Sequence, residues 1–157
     1  MTTNQALINT FYTAFQQKDY TNMIACYHPQ IHFSDPAFDL HGKQAGAMWH
    51  MLCERGKDLK VIFSDVKADA NNGQAHWEAT YTFAGKRKVH NIIDATFTFQ
   101  DGKIIRHQDQ FNFWRWSRMA LGPAGSLLGW TPFMQKKVRT TAMQGVEKFI
   151  ANHPEYQ

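Results

Sequence analysis

Apolar residues recur at helical spacing near the start of the chain, at Leu7, Ile8, Phe11, Tyr12 and Phe15. They predict an amphipathic helix over residues 4 to 17 or so. Asp19 reads as the N-cap of a second, shorter helix that carries Met23, Ile24 and Tyr27 and is closed by Pro29. Ile31-His32-Phe33 predicts a short strand, and Pro36 then holds Asp35 in an extended conformation within the loop SDPAFDLHG. Gly42 introduces a third helix, roughly 43 to 55, with Met48, Met51 and Leu52 inward and Gly56 at its end. The period then changes from helical to two. Leu59 to Asp69 predicts a strand with Val61, Phe63 and Asp65 on one face, and Asn71-Asn72-Gly73 turns the chain. Gln74 to Ala84 alternates cleanly, with Ala75, Trp77, Ala79, Tyr81 and Phe83 on one side.

The stretch Val89 to Trp114 carries the sharpest chemical pattern. Two strand-like runs flank Asp101-Gly102, a pair that tolerates the positive φ a tight hairpin needs. A two-residue loop pairs Gln100 with Lys103. An uninterrupted register then sets Thr98 opposite Ile105, Thr96 opposite His107 and Asp94 opposite Asp109. Two carboxylates side by side, flanked by Ile92, Phe111 and Phe113, repel each other. If they are buried, one keeps its proton to a higher pH than normal. The alternative is a wet face with both acids solvated. Beyond Trp114, Trp116 to Gly129 reads as irregular because of Gly122-Pro123 and Gly125. Thr131-Pro132 reads as the N-cap and first position of a helix running to about Ala151, with a stripe of Met134, Val138, Ala142, Val146, Phe149 and Ile150. Such a helix covers the sheet or joins a dimer. Alternatively LLGWTPF closes a pocket mouth as a lid, since Leu127, Leu128, Trp130 and Phe133 are not expected to stay in water together.

Helices first and antiparallel strands afterwards give an α+β pattern, with helices packed on one face of a curved sheet. The 157 residues, 43% hydrophobic and 14% aromatic, suit one packed domain, residues 1–157, with 115–157 as a C-terminal helical extension. The net charge of +4 is scattered apart from Lys86-Arg87-Lys88 and the run from Lys136 to Arg139, and it supports no nucleic-acid partner. Cys26 and Cys53 sit on apolar helical patterns and read as buried free thiols of a reducing compartment. No apolar stretch suits a bilayer and no leader is visible, so the expected location is cytoplasmic. His28 and His32 flank Pro29 rather than share a helical face, and His41 and His50 lack a second ligand at suitable spacing. No metal site and no cofactor are therefore expected. No glycine-rich nucleotide motif or nucleophile elbow is present.

The pieces FYTAFQQKDY, FSDPAFDLHG, HWEATYTF and IIDATFTFQDGKIIRHQDQF, in this order from about Ala6 to Phe113, resemble the nuclear transport factor 2-like superfamily. The likeness is to its SnoaL-like and ketosteroid-isomerase-like branch. It implies a cone: a curved antiparallel sheet wrapped around three helices, with a pocket at the open end and a homodimer through the outer sheet face. It also implies acid–base chemistry next to a carbonyl. By the isomerase scheme, Asp35 of the Asp-Pro motif is the base, and Asp94 is a neutral acid that donates to the developing oxyanion. The isomerase tyrosine does not transfer: its position is Phe11, and Tyr12 lies about 100° further round a helix of ~3.6 residues per turn. SnoaL-like cyclases place an acid–base aspartate on a late strand, which matches Asp109. The Arg-x-Asp spacing of limonene epoxide hydrolases is absent, with Arg106 three residues before Asp109.

The expected catalytic set is thus Asp35, Asp94 and Asp109, with Tyr12, Trp49, Trp77, Tyr81, His107 and Phe111 as pocket wall around a small apolar or carbonyl-containing ligand. Each has a plainer reading. Asp35 also suits a turn, Asp109 a network with His107 and Thr96, and the aromatics an ordinary core. An isomerase or cyclase-like enzyme is the leading expectation. A non-catalytic ligand-binding or dimerisation module of the same fold is the alternative.

Overall fold

The structure, a computed structural model, describes residues 1–157. Its helices are α1 (Thr3–Gln16), α2 (Tyr20–Ala25), α3 (Lys43–Arg55), α4 (Phe113–Leu121), α5 (Pro123–Leu128) and α6 (Pro132–Ala151). Its strands are β1 (Tyr27–Ser34), β2 (Asp39–His41), β3 (Lys60–Ala68), β4 (Asn72–Phe83), β5 (Arg87–Gln100) and β6 (Lys103–Gln110). A short 3₁₀ helix, Pro154–Tyr156, follows α6. The strands form one six-stranded sheet in the order β2-β1-β6-β5-β4-β3. All pairs are antiparallel except β1 with β6, which run parallel. This is the α+β curved, unclosed sheet the pattern implies, with one parallel pair inside it.

Local chemistry sets the boundaries. Thr2 and Gln5 form a capping box on α1, Asp19 caps α2, and Thr131 caps α6 just ahead of Pro132. Ile8, Phe11, Tyr12 and Phe15 of α1 are buried against the sheet. Gly73 makes the approach possible, because a Cβ there would lie 2.8 Å from Ile8 Cδ1 and 3.0 Å from Phe99 Cζ. The second helix ends before Pro29. Tyr27 and Pro29 belong to β1, so the first strand begins earlier than its sequence pattern indicates.

The hairpin carries a correction that matters for function. Gln100 does pair with Lys103 across Asp101 and Gly102, whose φ values are 53° and 73°. Phe99 then pairs with Ile104, but Thr98 pairs with Arg106, leaving Ile105 as the extra residue of a bulge. Phe97 therefore faces His107 and Ala95 faces Asp109, while Asp94 faces Gln110. A one-residue slip moves every side chain to the other face. Asp94 lies outside, its side chain 78% exposed, and His76 Nδ1 binds it at 2.8 Å. The expected Asp94–Asp109 pair does not exist.

The region after Trp114 is also corrected. It is not irregular but holds two short helices. Gly125 of α5 touches the Ser117 carbonyl of α4 so closely that no Cβ fits between them. The glycines that suggested a loop are what let α5 dock. Docked this way, α5 and the following turn leave their bulky side chains outward: Leu127, Leu128, Trp130 and Phe133 are all exposed, Leu127 by 72% and Phe133 by 71%. The expectation that they avoid water together fails. Helix α6 buries Met134, Val146 and Phe149 and packs against α3. No helix is long and apolar enough to cross a membrane.

Candidate active site

The parallel β1–β6 pairing builds the site. Ser34 lies beside Gln108 in register, so the next step along both strands brings Asp35 and Asp109 together. Both line one open cavity of about 510 Å³, together with His32, Asp39, Phe111 and Arg139 of α6. Asp35 is fixed by its own turn. Its Oδ1 accepts the backbone N–H groups of Ala37 and Phe38, each at 2.7 Å, and its N–H donates to the Phe38 carbonyl at 3.0 Å. Burial, and then the charge of Asp109, push its carboxyl up to about 7, against the two N–H bonds and Arg139, which act in the opposite sense.

Asp109 is 3% exposed and His107 is fully enclosed. A polar chain runs through the aromatic core beside them. Trp49 Nε1 donates to the Tyr27 hydroxyl at 2.8 Å, and that hydroxyl lies 2.7 Å from His107 Nδ1. His107 Nε2 lies 2.9 Å from Asp109 Oδ1, which also accepts from Trp77 Nε1 at 3.2 Å. Every donor is used if Tyr27 donates to Nδ1 and the neutral imidazole carries its proton on Nε2. His107 thus orients Asp109, and its ring is held by Trp49 stacked on it, Phe11 and Phe33 edge-on to it and Phe97 tilted against it.

Of the expected wall, Phe111 alone among the aromatics faces this cavity, and it is the one hydrophobic residue in the lining. The expectation of an apolar pocket is corrected to a polar one. Tyr12, Trp49 and Trp77 pack against one another and against Phe15 and Phe63, filling the cone's interior instead. Tyr81 accepts from Trp116 Nε1 at 2.9 Å, and the Asp35 charge adds to the burial that raises its phenol. Sequence reasoning missed Tyr27, which reads as a helical core residue, and Arg139, which reads as part of a solvated basic run. Nothing short of the β1–β6 pairing and the α6 docking reveals either.

Tyr12 keeps one unusual property. Its hydroxyl is the only buried side-chain oxygen or nitrogen without a hydrogen-bond partner, and its phenol is held well above the ordinary value by burial and then by the Asp109 charge. An unpaired buried hydroxyl costs about 1–3 kcal/mol. Tyr12→Phe is therefore expected to hold or raise the thermal midpoint, which calorimetry checks. A clear fall in the midpoint would show that the hydroxyl has a partner after all.

The chain matches the SnoaL-like domain family over residues 8–107. The chain belongs to the SnoaL-like family. A search of curated proteins gives no match. Solved structures resemble this SnoaL-like protein in fold. An NTF2-like protein of unknown function from Burkholderia pseudomallei superimposes with a TM-score of 0.65 at 14% identity, covering 76% of this chain and 98% of its own. An LEH-like epoxide hydrolase of M. tuberculosis gives 0.63 at 17% identity, with 78% and 92% covered. A provisionally assigned polyketide cyclase from Xanthomonas campestris pv. campestris gives 0.60 at 19% identity, with 73% and 94% covered. The family match ends at His107, so Asp109 and the Arg139-bearing helix of this SnoaL-like protein lie outside it.

Proposed function

We propose that this protein is a small-molecule enzyme that moves a proton at a carbon next to a carbonyl, as in isomerisation or aldol-type cyclisation. The observation that carries this reading is Asp35, raised to about 7 in a cavity it shares with Asp109. A base works best when its pKa lies near the operating pH. Asp35 takes the proton. Asp109, oriented by His107 and Trp77, is the coupled acid or base. Arg139 supplies positive charge in the cavity wall for an oxyanion. Asp94 has no part, because it lies on the outer face. A polar wall favours a ligand that carries oxygen functions over a bare hydrocarbon.

The test follows solvent deuterium entering cyclic ketones and 1,3-diketones by proton NMR. Exchange that needs both Asp35 and Asp109 supports the reading. If no ketone exchanges but several bind, as seen in chemical-shift changes at residues around the cavity, the non-catalytic binding module takes its place.

A homodimer through the outer sheet face belongs to the same proposal. Ile62 and Ile92 both flank Glu78 there and are 61% and 40% exposed, a poor use of apolar surface in a monomer. Ile62→Glu with Ile92→Lys is expected to halve the mass measured by light scattering. An unchanged mass would remove the sheet face as the contact.

A further inference from the structure

Away from the cavity, three side chains from distant parts of the sequence converge between α3 and the end of α6. His50 and Glu54 sit one turn apart on α3, and His153 follows the C-cap Asn152 of α6. One ligand atom from each lies within 4.8 Å of the others. We propose that His50, Glu54 and His153 bind a divalent metal ion of the zinc type and so clasp the C-terminal helix to the body of the fold.

The geometry of each ligand supports this. His50 Nε2 and Glu54 Oε2 are 3.3 Å apart. Metal–ligand bonds of about 2.0–2.2 Å in a tetrahedron place neighbouring ligand atoms about 3.3–3.6 Å apart, so this edge already has the required length. The two imidazoles lie with centroids 5.2 Å apart, inclined at 71°, and a ring nitrogen of each comes within 4.8 Å of the other and of the Glu54 carboxylate. Each ring is held by its other nitrogen, as metal-ligating histidines usually are. His153 Nδ1 donates to the Phe149 carbonyl at 2.7 Å, which leaves Nε2 with its lone pair. His50 Nδ1 lies 2.9 Å from the Tyr156 hydroxyl, and the ring is stacked on Tyr20 at 3.6 Å. With Nδ1 donating to Tyr156, the Nε2 lone pair of His50 is free for the metal. Glu54 is exposed, which leaves the fourth position open to water.

A second cluster, His32, Asp39 and His41, gives the contrast. Its rings are stacked 4.2 Å apart at 15°, both Nε2 atoms turn to one oxygen, Asp39 Oδ1, at 2.6 and 3.7 Å, and neither Nδ1 has a protein partner. With no second hydrogen bond to orient either ring it is the less preorganised of the two clusters, and it serves as the internal control. A helical i, i+4 His-Glu pair is by itself often only an ion pair. The third ligand, brought in from beyond α6 with its ring already oriented, is what raises this one above that.

The test titrates untagged, chelator-treated protein with Co²⁺, followed by its visible absorption, and then displaces it with Zn²⁺. One equivalent is expected to bind, with Glu54→Gln and His153→Gln each weakening affinity at least 10-fold and His41→Asn leaving it unchanged. Zn²⁺ is also expected to raise the thermal midpoint of the wild type but not of His153→Gln. Glu54→Gln alters an exposed residue and keeps the fold testable. Absence of binding to the wild type overturns the proposal. So does binding that survives both substitutions, or binding that is lost in His41→Asn.

Discussion

Asp35→Asn is expected to lower turnover of any ketone the protein enolises by about 10²–10⁴-fold, the usual worth of a positioned base, while making the fold more stable at pH 8. The two effects share one cause. The carboxyl is held at about 7, mainly by burial and then by the Asp109 charge, against 3.8 ordinarily. Between these values the unfolded chain gives up the proton and the folded chain keeps it. Stability is therefore fully present below pH 4, falls as the pH rises, and levels off once the folded group has ionised above pH 7. At ~1.4 kcal/mol per unit the ceiling is about 4 kcal/mol, and partial exposure of the site screens it to a smaller figure. Asn avoids this cost and keeps the turn, because its amide oxygen still accepts from Ala37 and Phe38. Urea unfolding at pH 4, 6 and 8 reads the difference: near zero at pH 4, a gain for the variant at pH 8. In the wild type, kcat/KM rises with pH through about 7. A gain over the wild type that is no larger at pH 8 than at pH 4 would mean that Asp35 ionises normally and is merely a turn residue.

Much of the fold is legible in the sequence, because helix caps and strand alternation are local. The capping box at Thr2, the Asp19 and Thr131 caps and the Asp101-Gly102 turn all lie where local chemistry puts them. Asp35 is legible as a site candidate from the Asp-Pro loop. The facing of Asp94 is harder, because it depends on a bulge at Ile105 that no turn rule announces. A signal was nevertheless present. Val89, Ile93, Ala95 and Phe97 form the apolar set of β5 and are all buried, whereas Ile92, Asp94 and Thr96 are exposed. Burying His107 and Asp109 on β6 together with that set requires a one-residue slip, and the bulge supplies it. Tyr27, Arg139 and the His50–His153 contact depend on pairings 80, 104 and 103 residues apart in sequence with no local trace.

Asp109 offers the sharper separation between scaffold and chemistry. Both buried donors that reach it, His107 Nε2 and Trp77 Nε1, end on the same oxygen, Oδ1. In Asp109→Asn the amide oxygen can hold both bonds, so the fold is expected to survive with a loss of about 1 kcal/mol or less. Asp109→Ala leaves two enclosed N–H groups without acceptors and is expected to cost about 2–5 kcal/mol, read by urea unfolding. The functional consequence of the Asn variant falls on its neighbour. Removing the Asp109 charge removes the second largest cause of the raised Asp35 carboxyl, so that carboxyl titrates at lower pH. The sign is fixed: the acid limb of the kcat/KM profile moves toward acid. The carbon-13 signal of the Asp35 carboxyl moves with it, even before a substrate is known. If Asp35 titrates unchanged in Asp109→Asn, the two carboxyls are not coupled and Asp109 only anchors His107. If the titration shifts while the fold holds, Asp109 tunes the base, and its placement beside Asp35 by the β1–β6 pairing is the device that makes the cavity reactive.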